Sequence, residues 1–395
     1  MSAALLVLNA GSSSLKFALY GAASGQVLSR GQVALAAGGA TLHAVDGAGA
    51  RLIERALPAG LDAATWPVLL LDWIGTAFPD VRLGAAAHRV VHGGAHHIAP
   101  VLLDAAVLRA LHDLTPLAPL HQPHALAAIA ALMASHPALQ QVACFDTAFH
   151  HTLPLVETSF AVPRALHDAG LRRYGFHGLS YEYIAGCLPA LLGAQAAAGR
   201  IVIAHLGAGA SMCALLGGRS IATTMSLTPL DGLPMATRCG AIDPGAVLWL
   251  LQEKGLSAGQ AADLLYHDSG MLGVSGISGD MQVLLASSAP AAQAAVDLFV
   301  YRIGRELGSL AAALGGIDAL VFTGGIGEHA ATIRQRVCHG AAWLGIALDD
   351  AANAGHGPCL THAGSAVSAW TIATDEDEMI MRHARALLHL PCATA

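Results

Sequence analysis

Several short segments of this chain carry the residue types that chemistry on anions requires. Asn9-Ala10-Gly11-Ser12-Ser13-Ser14-Leu15-Lys16 puts small residues, hydroxyls and an ammonium into one stretch. Small residues let backbone N–H groups come close to an anion, the hydroxyls add donors and Lys16 adds charge, which together suit a phosphate. A polar hairpin turn is the plainer reading of the same residues. The stretch is not a Walker A loop, because G-x-x-x-x-G-K-[ST] is absent. Gly207-Ala208-Gly209 and Gly324-Gly325-Ile326-Gly327 invite the same two readings.

Two arginines stand in apolar loops, Arg89 in His88-Arg89-Val90-Val91-His92-Gly93-Gly94 and Arg238 in Thr237-Arg238-Cys239-Gly240. A guanidinium binds carboxylate or phosphate as a planar fork, so the pair suggests an anion site, against the plainer reading of surface ion pairs. Asp146 and Glu376 are acids where apolar runs end, and Glu376 lies in Asp375-Glu376-Asp377-Glu378 at the head of a terminal helix, where acids also favour the helix dipole. The 21 histidines include no H-E-x-x-H, and His96-His97 and His150-His151 lack a zinc spacing. His121 and His177, in tight apolar loops, are the better catalytic candidates.

The elements that position these residues are short β-type runs that stop at a polar residue or glycine. Leu5 to Leu8 ends at Asn9, Val142 to Phe145 at Asp146, Ile201 to Ala204 at His205, and Leu320 to Phe322 at Thr323-Gly324-Gly325. In open α/β sheets ligands bind just outside the carboxyl ends of strands. Ala-rich and Leu-rich helical stretches alternate with the runs, which argues α/β. Leu5 to Leu15 can be laid on Ile201 to Ser211 without a gap, a faint internal repeat of strand, polar residue and small residues.

Composition narrows the classes. A length of 395 residues predicts two domains, with room for a cleft. Only 12% of residues are charged, the net charge is −7 and no Lys/Arg run occurs, so the footprint of a nucleic-acid binder is missing. The seven cysteines are scattered, with no C-x-x-C, as expected of reduced thiols. The apolar run Ala3 to Leu8 reads as a strand rather than a signal peptide, and no apolar stretch reaches the roughly 18 residues of a membrane helix. A cytoplasmic protein without membrane or nucleic-acid partners is expected.

Taken in order, these segments resemble the acetate kinase family of the sugar kinase, Hsp70 and actin superfamily. The resemblance spans nearly the whole chain and rests on the first turn, the Arg89 segment, Leu117-Ala118-Pro119-Leu120-His121, Phe145-Asp146-Thr147-Ala148-Phe149-His150, Arg172-Arg173-Tyr174-Gly175-Phe176-His177-Gly178 and Phe322 to Glu328. It implies two duplicated RNase H-like lobes with a nucleotide cleft between them, usually in a homodimer. The first lobe would span 1–147, completed by a C-terminal helix 377–395, and the second 148–376.

By the same resemblance, Ser12, Ser13 and Lys16, with His205, Leu206, Gly207, Ala208 and Gly209, would hold the phosphates of ATP or ADP. Asp280, Met281 and Gln282, and Gly325, Ile326, Gly327, Glu328 and His329, belong to the nucleotide side. Asn9 and Glu376 would place Mg²⁺, or Mn²⁺ in its stead. Arg89 and Arg238 would bind the carboxylate and the moving phosphoryl group, His177 would stabilise the transition state, and Asp146 would orient Arg89 or the acceptor. Val91, Leu120, Phe176 and Pro229 would surround the methyl group of acetate. Ala208, Ala241, Gln282 and His329 depart from the family pattern, where Asn, Asp, Arg and Asn are usual.

The implied reaction is reversible transfer of the ATP γ-phosphoryl group to acetate by direct in-line displacement, giving acetyl phosphate and ADP. The alternatives are a propionate or butyrate kinase of the same family, a nucleotide-gated ATPase without a carboxylate acceptor, and a His-rich metallohydrolase.

Overall fold

The computed structural model describes residues 2–11, 13–36, 39–58 and 60–390. Ser12, one of the expected phosphate ligands, and the last residues of the expected terminal helix lie outside them. The chain divides into two compact units, one running to Ala148 and resuming at Asp375, the other Phe149–Thr374.

The first unit is built on β1 (Ser2–Ala10), β2 (Ser14–Gly21), β3 (Val27–Ala36), β4 (Gly39–Asp46), β5 (Arg51–Ala56), β6 (Val81–Val90), β7 (Val101–Leu102) and β8 (Gln140–Phe145). They form one sheet in the order β5-β4-β3-β2-β1-β6-β8-β7. β1, β2 and β3 pair antiparallel, whereas β1, β6 and β8 run parallel. Leu6 and Leu8 of β1 join Leu70, Trp73 and Ile74 of the helix Trp66–Ala77 in one apolar cluster. Leu5 and Val7 are equally buried, pointing the other way by strand alternation. The terminal helix Glu376–Leu387 packs on β1, β6 and β8, with Cys144 Sγ of β8 4.0 Å from the Ile380 carbonyl. Burial on both faces explains why β1 reads as a continuous apolar run instead of an alternating one.

The second unit carries β9 (Arg200–Leu206), β10 (Ala210–Leu216), β11 (Arg219–Thr223), β12 (Ala319–Thr323) and β13 (Ser368–Thr371), ordered β11-β10-β9-β12-β13. β9, β10 and β11 are antiparallel neighbours and β9, β12 and β13 are parallel. The helix Gly178–Leu192 buries Tyr181, Ile184 and Leu188 against Ile201, Ile203, Cys213 and Val321, and the long helix Pro290–Leu314 packs on β9, β10 and β11. The order and directions are those of β3-β2-β1-β6-β8 in the first unit. The gapless overlay of Leu5–Leu15 on Ile201–Ser211 places the end of β1 on the end of β9 and the start of β2 on the start of β10. The two hairpins differ by one step, Ala10 pairing with Leu15 but Leu206 with Ala210.

Among the described residues no helix is long and apolar enough to cross a membrane. His88 of β6 is buried, with Nε2 2.8 Å from Gln141 Oε1 of β8. Burial pushes its pKa down to about 4, against which the Gln141 hydrogen bond acts weakly. Because the folded pKa lies below the ordinary 6.5, the stability of the neutral ring is fully present above pH 6.5 and is lost as pH falls toward 4. Urea unfolding between pH 7 and pH 4.5 should therefore show His88→Gln losing less stability than the wild type, by about 2 kcal/mol. Parallel curves would mean that His88 titrates normally.

Candidate active site

In the first unit the expected site residues gather at the carboxyl ends of parallel strands. Arg89 is the penultimate residue of β6 and Asp146 follows β8 directly, its N–H donating to the Val90 carbonyl at 3.1 Å. Arg89 Nε and Nη2 donate to the two oxygens of Asp146 at 2.9 and 2.7 Å, a bidentate fork. Glu376, first residue of the terminal helix, brings Oε2 to 3.4 Å from Arg89 Nη1. Burial works against the charge of Arg89, but Asp146 and Glu376 outweigh it and raise the guanidinium above its ordinary pKa. Asp375, which caps that helix at the Glu378 N–H, also pairs with Arg30 at 2.6 Å, so Asp375 and Glu376 are tied to the first unit.

Asn9 and Lys16 are cross-strand partners flanking the β1–β2 turn; Lys16 is exposed, and Ser13 accepts from the Leu35 N–H through its carbonyl. Val91 and Leu120 are partly buried, and His121 precedes the helix Gln122–Ser135. Gln122, which the sequence reading passed over, is fully buried. Its amide accepts from the His92 N–H at 3.1 Å and donates to the His92 and Leu111 carbonyls, while Thr147 Oγ1 accepts from the Gly93 N–H. These bonds fix the loop that carries Val91. A buried glutamine at a helix start leaves no periodic signal.

In the second unit, the imidazoles of His177 and His205 stack at 4.3 Å. His177 Nδ1 lies 2.8 Å from Ser211 Oγ, and His205 Nδ1 lies 2.8 Å from Ser180 Oγ, which meets Thr374. Arg238 Nη1 donates to the Pro229 carbonyl at 2.7 Å, which aims a guanidinium whose loop is stitched by the Met235, Thr237 and Cys239 backbones. A Cβ on Gly209 would sit 3.1 Å from Arg238 Nη2 and 3.4 Å from His177 Nε2, so these two nitrogens converge on one point beside the β9–β10 turn. Phe176 is buried, its carbonyl 2.9 Å from His150 Nε2.

Beside that turn lies a cavity of about 520 Å³ lined by Gly207, Ala208, Asp280, Met281, Gln282, Gly325, Ile326 and His329, with Ala236, Gly279, Leu285 and Ala330. Gly327 and Glu328 do not line it. Gly327 is buried, and the Glu328 carboxylate accepts from the Gly324 N–H at 2.9 Å, stapling the start of the helix Gly324–His329. Leu206 is wholly buried. Arg334, also unnoticed in the sequence, is fully buried and donates to the Gly327 and Glu328 carbonyls and to Asn353. Among the described residues no group of three His, Cys, Asp or Glu is placed to hold a metal ion.

Two sheets that share a five-strand core of one order and one set of directions, each with a turn of small residues after the first strand of its unit and with charged or imidazole groups at the carboxyl ends, define the duplicated actin-like ATPase fold. Residues 4–382 match the acetokinase family, and the chain belongs to that family. It is 57% identical over 393 residues to the acetate kinase of Rhodopseudomonas palustris (strain ATCC BAA-98 / CGA009), covering 97% of this chain and 98% of that one. The acetate kinase of Methylocella silvestris is 49% identical, with 98% of both chains covered. Among solved structures, Porphyromonas gingivalis acetate kinase superposes with a TM-score of 0.86 at 34% identity, covering 98% of this chain and 100% of that one. A propionate kinase from Francisella tularensis subsp. tularensis SCHU S4 gives 0.90 at 35%, covering 97% and 99%.

Arg89 and Asp146 are 20% and 2% exposed, so removing one partner strands the other in a poorly solvated place, which costs about 3–5 kcal/mol. Removing both leaves neither of the two stranded, and Glu376 loses Arg89 equally in Arg89→Leu and in the double variant, so its share cancels from the comparison. Denaturant unfolding of Arg89→Leu, Asp146→Leu and the double variant should give a double-variant loss smaller than the sum of the singles by on the order of 2 kcal/mol. Additive losses would mean that the fork carries no coupling.

Proposed function

We propose that the chain is an acetate kinase, transferring the ATP γ-phosphoryl group reversibly to acetate. What carries this reading is the 57% identity, over nearly the full length of both chains, to a protein named acetate kinase. An acetate oxygen attacks the γ-phosphorus, the new O–P bond forms as the bond to the β–γ bridging oxygen breaks, and the electron pair leaves with ADP. The nucleophile is already an anion at neutral pH, so no general base is needed and the work is alignment and charge neutralisation.

Arg89, steadied by Asp146, orients the carboxylate. Arg238 and the His177 Nε2 side face the phosphoryl group, and His121 flanks the acceptor. Val91 and Leu120 of the first unit meet the methyl group. The 520 Å³ cavity takes the nucleoside, and the turns around Ser13 and Gly209 take the phosphates. Asn9 and Glu376 offer only oxygen donors, few enough to leave coordination positions for water and phosphate, which fits Mg²⁺. When bound, the ion neutralises phosphate charge.

A homodimer is supported by the helix Pro244–Gln252, an apolar segment with no buried residue, in which Leu248 and Trp249 are 52% and 49% exposed. A cytoplasmic location fits the seven scattered cysteines, which include no C-x-x-C.

Incubating the protein with Mg-ATP, acetate and hydroxylamine should yield acetate-dependent hydroxamate in step with ADP. ADP without hydroxamate would instead identify an ATPase. A larger acid is the second reading, favoured by the likeness to a solved propionate kinase. Val91 stands two residues past Arg89, and its replacement by alanine opens room for about one methylene, worth roughly 1–3 kcal/mol in an apolar pocket. Val91→Ala should raise the propionate-to-acetate ratio of kcat/KM by about tenfold, mainly through the propionate KM. An unchanged ratio removes Val91 from the pocket.

A further inference from the structure

His177 occupies a strained turn that is gripped from two sides. Its φ of 56° is left-handed, a conformation that few non-glycine residues adopt, and Gly175 before it has φ 80°. The missing side chain at Gly175 makes room for His150, whose Cδ2 would lie 2.6 Å from an added Cβ. The Phe176 carbonyl can only accept, so the His150 proton sits on Nε2 and His150 Nδ1 accepts from the Ser220 hydroxyl at 2.8 Å. Burial depresses the His150 pKa to about 4 and keeps the ring neutral. This holds the peptide.

The second grip sets a proton. Tyr181, one helical turn beyond His177, is fully buried, and its hydroxyl is hydrogen-bonded to Ser211 Oγ. Burial first, and Cys213 second, hold the phenol well above its ordinary pKa, so it remains an O–H. A buried phenol proton needs an acceptor, and Ser211 Oγ is placed to be one; the Cys213 thiol is itself 3.3 Å from Ser220 Oγ. With Tyr181 donating, the single Ser211 proton points to His177 Nδ1, 2.8 Å away. An accepting Nδ1 leaves the imidazole proton on Nε2, the nitrogen that converges with Arg238 Nη2 beside Gly209.

We infer that Tyr181, acting through Ser211, is a positioning residue that fixes His177 in the tautomer with its proton on Nε2, so that a hydrogen-bond donor is presented beside Arg238. Neither Tyr181 nor Ser211 touches the reacting atoms. The inference rests on the proposed role of His177, and the two are separable by experiment. The opposite tautomer would turn a lone pair toward phosphoryl oxygens, replacing a donor by an acceptor at the point where negative charge is handled.

The test uses full-length protein labelled with ¹⁵N-histidine, read by two-bond ¹H–¹⁵N correlation, with the His177 signals assigned as those lost in His177→Gln. The wild type should show His177 protonated on Nε2. In Tyr181→Phe, Ser211 is free to accept instead, so the pattern should become mixed, and kcat should fall about tenfold while both KM values stay within about twofold. That loss is smaller than the 10²- to 10³-fold cost of deleting such a donor outright. Ser211→Thr, which keeps the hydroxyl, should retain the wild-type pattern, and Ser211→Ala serves if Tyr181→Phe does not fold. A wild-type proton on Nδ1, or an unaltered pattern and kcat in Tyr181→Phe and Ser211→Ala, overturns the inference. A tautomer change without loss of rate, together with an active His177→Gln, would retain the relay and refute the role of His177.

Discussion

A guanidinium with only a fifth of its surface in water keeps its place at the end of β6 because two carboxylates hold it there. Arg89 meets Asp146 through two parallel hydrogen bonds and Glu376 at longer range. These three residues come from distant parts of the sequence, so the pairing presupposes that β6 and β8 run parallel and that the terminal helix returns to the same strands. A parallel register with Val90 beside Phe145 brings Asp146 level with the strand end. The returning helix covers an apolar sheet face and delivers a carboxylate in its first turn, where the helix dipole favours it.

The second unit handles a buried charge differently. Among the described residues Arg334 pairs with no carboxylate; it spends its donors on the Gly327, Glu328 and Asn353 carbonyls, on Asn353 Oδ1 and on His356. Burial pulls its pKa down, with only weak help from Cys338. What it gains is geometry, since carbonyls at the C-terminal end of the helix Gly324–His329 meet a cation while the Glu328 carboxylate satisfies the Gly324 N–H at its start. The short helix lining the nucleotide-sized cavity is fixed at both ends by residues that do not line it.

The sequence displayed the framework and the outward-facing chemistry. Apolar runs ending at Asn9, Asp146, His205 and Thr323 located parallel-strand ends, and the overlay of the first turn on the β9–β10 turn located the duplication, because both depend on local residue type. Arg89 and Arg238 were visible as charges among apolar residues, although Arg89 lies in β6 and not in the loop expected for it. The residues behind them were not. Gln122, Ser211 and Arg334 act through contacts across long stretches of chain, and nothing in their neighbours marks them. Tyr181 had a readable cue, its place one turn into the helix that His177 precedes, but a buried aromatic there ordinarily means core. The family resemblance alone puts Glu328 on the nucleotide side, and only the fold shows its carboxylate engaged with the Gly324 N–H.

Scarcity of charge explains why the site is built from commitments rather than free acids. Charged residues are 12% of the chain, and the acids near the strand ends already have partners: Asp146 and Glu376 with Arg89, Asp375 with Arg30, Glu328 with a helix N-terminus. An acid locked to an arginine is a poor proton acceptor, because protonating it would give up the ion pair. A hydroxyl acceptor would need such a base, whereas a carboxylate acceptor arrives ionised and needs cations and donors to bring it against another anion. Under the proposed function Arg89 in the first unit, and Arg238 and the Nε2 side of His177 in the second, are of that kind, and the carboxylates around Arg89 hold its fork in a fixed plane. The same arrangement that lets a charge survive near an apolar core thus favours an acceptor that brings its own charge.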